Sequence, residues 1–313
     1  MQSQRPSNPS SRRCDVFIAS ESFIQTLTNE LEQQTSNISD LQLQLSTGQA
    51  LNRASDNPAA VTQVLALSSQ AAQLTSWQNN VQTATSWLGI ANSTANNILT
   101  TLQSARTLLL QAMNSGTQSS STYQALGTQL QGVSNNLLSL SNTQYADRAI
   151  FAGTSASLQA YDASGNYLGN ADVSTVVIGP GSGVGEAVNL SVPGSALFGP
   201  GASNAFATLS GAISALQSGA PPPSSISLAL NELDAVISGA QQASAVLGQS
   251  SQMVTSAAAN LATEIATIES NRANLENVNV AGVTTQLTLE TTDYQAALWA
   301  TSKAVPETLV NFL

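Results

Sequence analysis

The sequence lacks most of the residues that carry protein chemistry. It contains no histidine and a single cysteine, Cys14, in 313 residues. Histidine is the commonest general base and metal ligand, so its absence removes the simplest hydrolytic and metal sites. One cysteine excludes a disulfide within the chain. We therefore expect no catalytic residue, no cofactor and no metal site, and a protein that is not an enzyme.

Charged residues are also scarce. They make up 8% of the chain, the formal net charge is −10, and residues 57–105 carry no charge at all. Soluble domains average about a quarter charged residues. So little positive charge argues against nucleic acid and against anionic membranes as partners. Amides and hydroxyls cost less to desolvate than ions, which favours helices packed against further helices in an assembly.

Long hydrophobic runs are missing too. No apolar run approaches the ~18 residues that span a bilayer. The apolar stretch near the N-terminus, residues 16–19, is too short for the core of a secretory signal. If the protein leaves the cytoplasm, we expect export without a cleaved signal peptide.

What the sequence does contain is a heptad pattern near both ends. Apolar and small residues recur at spacings of three and four, as in helices that pack lengthwise on one another. The spacing predicts helices at about 18–46, 58–113, 119–144, 206–216, 225–276 and 283–312. Ser55 or Asp56 is expected to cap the second of these, with Pro58 in its first turn, and residues 277–282 are expected to interrupt the pattern between the last two. One stripe comprises Val81, Ala84, Leu88, Ala91, Ala95, Ile98, Leu102, Ala105, Leu109 and Ala112. The other long stripe comprises Leu230, Leu233, Ile237, Ala240, Ser244, Leu247, Ser251, Val254, Ala258, Leu261, Ile265, Ile268, Arg272 and Leu275.

The middle of the chain follows a different pattern. From about residue 149, glycines recur among short β-rich pieces, 173–178 and 187–192, and residues 162–166 are typical of a hairpin turn. Asp147 and Arg148 are expected to form a local ion pair at a helix end. The glycine run at 179–185 lacks the Lys-Ser/Thr of a phosphate-binding loop and is interpreted as loop and turn. Trp77, Trp87 and Trp299 are expected to serve in helix packing.

These patterns predict a mainly α protein with an elongated helical rod formed by both chain ends and a small β-rich insert. The expected division is a disordered extension at 1–18, a terminal coiled-coil domain at 19–55 plus 280–313, a helical rod domain at 56–148 plus 203–279, and an outer β-rich domain at 149–202.

Residues 45–60, LSTGQALNRASDNPAA, resemble the N-terminal signature of flagellins and hook-associated proteins. The C-terminal segments 293–303 and 308–313, and residues 148–153, RAIFAG, resemble the hook–filament junction branch of that family. The resemblance implies a flagellin-like coiled coil and a structural role as an adaptor ring between the hook and the filament. It also implies partners: further copies of the chain, hook-associated protein 1, flagellin, and an export chaperone with the type III export apparatus. The implied location is the extracellular flagellum.

Two alternatives remain at this stage, a flagellin filament subunit and, more distantly, a surface coiled-coil adhesin. Candidate assembly residues lie on the stripes of the two terminal helices and in the N-terminal signature. They are Ile24, Leu27, Leu31, Ile38, Leu41, Leu45, Asn52, Arg53, Asp56, Tyr294, Leu298, Val305, Leu309 and Phe312.

Overall fold

The computed structural model describes residues 10–114, 119–180 and 186–304. Most of these residues are helical. The helices are α1 (Ser10–Thr47), α2 (Pro58–Met113), α3 (Ser120–Ser141), α4 (Gly194–Phe198), α5 (Ala205–Gln217), α6 (Pro223–Glu276) and α7 (Val280–Ala304). The strands are β1 (Gln144–Tyr145), β2 (Arg148–Ala149), β3 (Thr175–Gly179) and β4 (Glu186–Asn189). The predicted fold class, mainly α with a small β-rich insert, is confirmed.

The chain divides into two compact units. One contains Met1–Gln70 and Thr267–Leu313, and therefore α1, α7 and the adjoining ends of α2 and α6. The other is Ala71–Ala266 and holds the remaining elements. The four-part division expected from the sequence stays a prediction.

The start of α1 departs farthest from the predicted helix limits, which otherwise agree within three residues wherever the structure describes them. α1 is described from Ser10, so half of the extension predicted to be disordered is helical, while residues 1–9 lie outside the described residues. The prediction carried the last helix to residue 312, of which 305–312 likewise lies outside the described residues.

The core of the second unit is built on the heptad stripe of α2. Every predicted stripe residue from Val81 to Ala112 is buried. In α6 most predicted stripe residues are buried: Leu230, Leu233, Ile237, Ala240, Leu247, Val254, Leu261 and Ile268. At three positions the preceding residue is buried and the predicted one is half-buried, namely Ala243 before Ser244, Ser250 before Ser251, and Ala257 before Ala258. The buried face of α6 is therefore wider than a strict heptad seam, as is common for helices in globular proteins.

The β-rich insert begins with a tight hairpin. β1 and β2 are antiparallel, with Tyr145 opposite Arg148 and Ala146 and Asp147 in the turn at φ of 47° and 59°. The left-handed conformation at both turn residues is what a two-residue hairpin turn requires. The ion pair predicted for Asp147 and Arg148 at a helix end is therefore wrong. The Arg148 guanidinium instead lies 5.9 Å from the centre of the buried Trp87 ring.

The two predicted β pieces form a second antiparallel hairpin, β3–β4, with limits displaced by one to three residues. The predicted turn at 162–166 is present. Asp162 Oδ1 accepts from the backbone N–H groups of Ser164 and Asn166, both at 2.8 Å. These hydrogen bonds, with that from the Asn166 side chain as the largest cause, lower the pKa of the Asp162 carboxyl.

Aromatic rings join the insert to the helices of the same unit. The centre of the Tyr161 ring lies 5.1 Å from that of Phe198 and 4.9 Å from that of Phe206, which is on α5. Phe198 and Phe206 stack at 5.4 Å. Burial raises the pKa of the Tyr161 phenol. The insert thus packs its core directly on α5.

Candidate assembly site

The N-terminal signature folds into a link between α1 and α2, and a second link, between α6 and α7, pairs with it. Gly48 adopts φ of +72°, which ends α1 in the left-handed conformation that glycine accepts without strain. The Ala50 N–H donates to the Glu276 carbonyl at 2.7 Å, and the Val278 N–H donates to the Gly48 carbonyl at 3.1 Å. The site therefore joins the two ends of the chain through their backbones.

Asp56 organises the first link from within. Its Oδ2 accepts from the backbone N–H groups of Asn52 at 3.1 Å and Arg53 at 2.7 Å. The Asn52 side chain donates to the Gln49 carbonyl at 3.0 Å. A carboxylate that accepts two amide protons is a strong local anchor, because charge-assisted hydrogen bonds exceed neutral ones.

The cap of α2 differs from the one predicted. Ser55 or Asp56 was expected to cap the helix, but Asn57 does so: its Oδ1 accepts from the Ala60 N–H at 3.1 Å. Pro58 then occupies the first helical position, where no backbone N–H is needed. The Asp56 carboxylate therefore accepts hydrogen bonds within the first link instead of capping α2.

Arg53 connects the link to α1. Its Nη1 lies 3.3 Å from Asp40 Oδ1, with both side chains about half or more exposed. An exposed pair of this kind contributes about 0.2–1 kcal/mol. We therefore assign Arg53 the role of positioning the first link against α1.

Helices α1 and α7 pack along the predicted stripe, but this contact leaves the stripe partly exposed within the described part of the chain. On α1, Leu41 is buried at 9% exposure, whereas Leu27, Leu31, Ile38 and Leu45 are half-buried. On α7, Leu287 and Tyr294 are half-buried. Four candidate residues cannot be placed: the Ile24 side chain, Val305, Leu309 and Phe312 lie outside what the structure describes.

The stripe on α7 departs from the prediction at its C-terminal end. Leu298 is 43% exposed, and the half-buried neighbours on that face are Ala297 and Thr301. Trp299, expected to pack, is 72% exposed, whereas Trp87 is buried as expected. A large apolar surface of α7 therefore has no partner among the described residues.

A polar residue interrupts the seam of α1. Gln34 lies on the stripe, and its buried Oε1 has no hydrogen-bond partner among the described residues. A buried acceptor without a donor costs about 1–3 kcal/mol. The seam is therefore not optimised for the pairing seen within a single chain.

Sequence reasoning missed the second link. Residues 277–282 were predicted to interrupt the helix, but nothing indicated that Glu276, Asn277 and Val278 would pair with residues 48–50. Such backbone pairing leaves no side-chain signature. Within the described residues, no group of three or more metal-ligating side chains occurs, and no helix is long and apolar enough to cross a membrane.

Comparison with known proteins shows which proteins this chain is similar to. Residues 18–156 match the bacterial flagellin N-terminal helical region, a stretch that contains the whole first link. The chain is 32% identical over 188 residues to flagellar hook-associated protein 3 of Escherichia coli, covering 56% of this chain and 58% of that protein. The chain is therefore similar to a flagellar hook-associated protein over more than half of its length. This confirms the resemblance drawn from residues 45–60.

Other relatives agree. Flagellar hook-associated protein 3 of Salmonella typhimurium is 34% identical over 128 residues, which cover 40% of each chain. The solved structure of the flagellar junction protein FlgL from Legionella pneumophila has the same fold, with a TM-score of 0.55, 13% identity, and coverage of 68% of this chain and 99% of that one. This chain thus matches 58% and 40% of the lengths of its two sequence relatives.

Proposed function

We propose that the chain is a structural subunit of the bacterial flagellum, an adaptor ring that joins the hook, through hook-associated protein 1, to the flagellin filament. The observation that carries this proposal is the unequal burial of one residue pattern. Heptad stripes are fully buried in α2 but only half-buried in α1 and α7. A terminal pair of this kind requires further helices from outside the chain.

Under this proposal, the terminal pair lines a tube built from neighbouring copies, and the β-rich insert at 149–202 faces outward. Hook-associated protein 1 and flagellin cover the two ends of the ring. The chain reaches the extracellular flagellum through the type III export apparatus, with an export chaperone and without a cleaved signal peptide. The shortage of charge supports the packing, because neutral polar flanks are desolvated at lower cost than ions.

The proposal is tested by deleting the gene. The mutant should assemble hooks, lack filaments and release unpolymerised flagellin into the medium, and the full chain should restore filaments. Normal filaments in the deletion strain would contradict the proposal.

A second strain tests the C-terminal residues. The variant Leu309→Asp with Phe312→Asp should fail to restore filaments, because both apolar side chains lie on the predicted stripe. Thr308→Asp is the matched control, since it adds a charge beside that stripe. Purified protein that grew long filaments under conditions that polymerise flagellin would favour the filament-subunit alternative.

A further inference from the structure

Helix α7 carries a second stripe on the face opposite α1. The residues of this back stripe recur at spacings of three and four, and all are exposed: Thr285, Leu289, Thr292, Ala296, Trp299 and Lys303. Leu289 is 60% and Trp299 72% exposed. The stripe therefore has the spacing of a packing seam but no partner among the residues that the structure describes.

The threonines make this stripe easier to bury than its composition suggests. The Thr285 hydroxyl donates to the Ala281 carbonyl at 2.9 Å, and the Thr292 hydroxyl donates to the Thr288 carbonyl at 2.8 Å. Each hydroxyl proton is already satisfied inside the helix. The threonines can therefore lose water without leaving an unpaired donor.

Helix α1 has a matching back face. Its exposed residues, again at spacings of three and four, are Gln25, Asn29, Glu32, Ser36, Ser39 and Leu43. This face carries one charge, Glu32, and the back stripe of α7 carries one charge of opposite sign, Lys303. Neither forms an ion pair among the described residues. The Lys303 ammonium instead lies 5.5 Å from the centre of the Trp299 ring.

We propose that the back stripe of α7 docks on the back face of α1 of a second copy of this chain, with Lys303 pairing with Glu32 of that copy. The inference rests on the proposed function and names the contact between neighbouring subunits. Charge complementarity selects the occupant, because each face supplies the single charge that the other lacks.

The geometry fixes the kind of contact. The chain runs from α1 into the first link and from the second link into α7. Because the two links pair with each other, α1 and α7 run antiparallel. Lys303 lies farther from the links than Glu32, by eight residues or about 12 Å of helix. Neighbouring copies must therefore be staggered along the helix axis. The contact joins two different faces, so it repeats from copy to copy.

The test uses purified full-length protein with Cys14→Ser as the background. Copies carrying Glu32→Cys are mixed with copies carrying Lys303→Cys and treated with a short bismaleimide. Any product between the two variants is intermolecular. We expect a cross-linked dimer several-fold above that from Glu32→Cys mixed with Asp293→Cys, a control at an exposed position of α7 off the back stripe. Equal or no product from the first mixture would overturn the proposal.

Charge reversal adds a second readout. Lys303→Glu should reduce cross-linking between Ser39→Cys on the back face of α1 and Ala296→Cys on the back stripe of α7, which the 32–303 pairing places opposite each other, about two- to fivefold, the range that exposed ion pairs support. Combining it with Glu32→Lys should restore the yield, whereas combining it with Asp293→Lys should not. Restoration by both or by neither would count against the pairing.

The outcome separates this contact from the flagellar role. If the 32–303 product forms but the deletion strain makes normal filaments, the contact stands and the junction function fails. If the strain lacks filaments but the product is absent, the function stands and this contact is wrong.

Discussion

Replacing Asp56 by alanine tests whether the first link is organised as the structure shows. The carboxylate Oδ2 accepts from the amides of Asn52 and Arg53 at 3.1 and 2.7 Å. Alanine removes both acceptors at once. Asp56 and Arg53 are exposed and Asn52 is half-buried, so water replaces part of what is lost. We therefore expect a local cost of about 1–2 kcal/mol, the range of helix-cap replacements.

That cost has a direct readout in amide hydrogen exchange. A loss of 1–2 kcal/mol should speed exchange of the Asn52 and Arg53 amides about 5- to 30-fold. Asp56→Asn keeps a neutral acceptor and should give an intermediate change. Ser55→Ala is the matched control, because this exposed neighbour makes no hydrogen bond in the link. Exchange at residues 52 and 53 that was unchanged in Asp56→Ala would refute the role given to the carboxylate.

Three further variants test other contacts. Gln34→Leu should stabilise the paired α1 and α7 by about 1–3 kcal/mol, because it removes a buried acceptor without a donor; exchange rates along α1 should fall, and faster exchange would contradict this. Phe206→Ala should lower the free energy of unfolding by about 3–5 kcal/mol, since its ring packs on Tyr161 and Phe198; chemical denaturation measures it, and a loss under 1 kcal/mol would argue against the shared aromatic core. Asp162→Asn should destabilise the insert at neutral pH. Because the folded pKa of Asp162 is lowered, the contribution of its carboxylate is complete above about pH 4 and disappears as pH falls through the folded pKa. The two proteins should therefore converge in stability at acid pH, and a constant gap would contradict the mechanism.

The spacing of apolar residues predicted the long helices well, because the position of a residue around its own helix decides whether its side chain is buried. Each stripe residue of α2 from Val81 to Ala112 is buried as expected, since a helix presents every third and fourth residue to the same neighbour. In α6 the same reasoning held at Val254, Leu261 and Ile268 but missed by one position elsewhere, for example where Ala257 rather than Ala258 is buried. A packed helix buries a face wider than the two positions of a strict heptad, so the residue beside a predicted position can be the buried one.

The site was predicted less completely than the fold. The signature residues were identified by resemblance, but their local roles were not: Asn57 rather than Asp56 caps α2, and Asp56 holds the link. The pairing of Ala50 with Glu276 joins positions more than 200 residues apart through backbone atoms alone. Sequence patterns report side chains, so contacts of this kind stay invisible until the chain is folded.

The two units differ in how much of their apolar surface is buried within the chain. This difference explains how one unit can be stable by itself while the other depends on further helices. In the second unit, Leu88, Leu102 and Leu109 of α2 are fully buried within the chain. In the first, the α1 seam is half-buried, and the α7 back stripe leaves Leu289 and Trp299 in water. Burial of apolar surface drives helix association, so the first unit gains stability only when further helices cover it. Its order should therefore rise with protein concentration or on assembly, while that of the second unit should not. We therefore expect the second unit to fold by itself and the first unit to become fully ordered only on assembly.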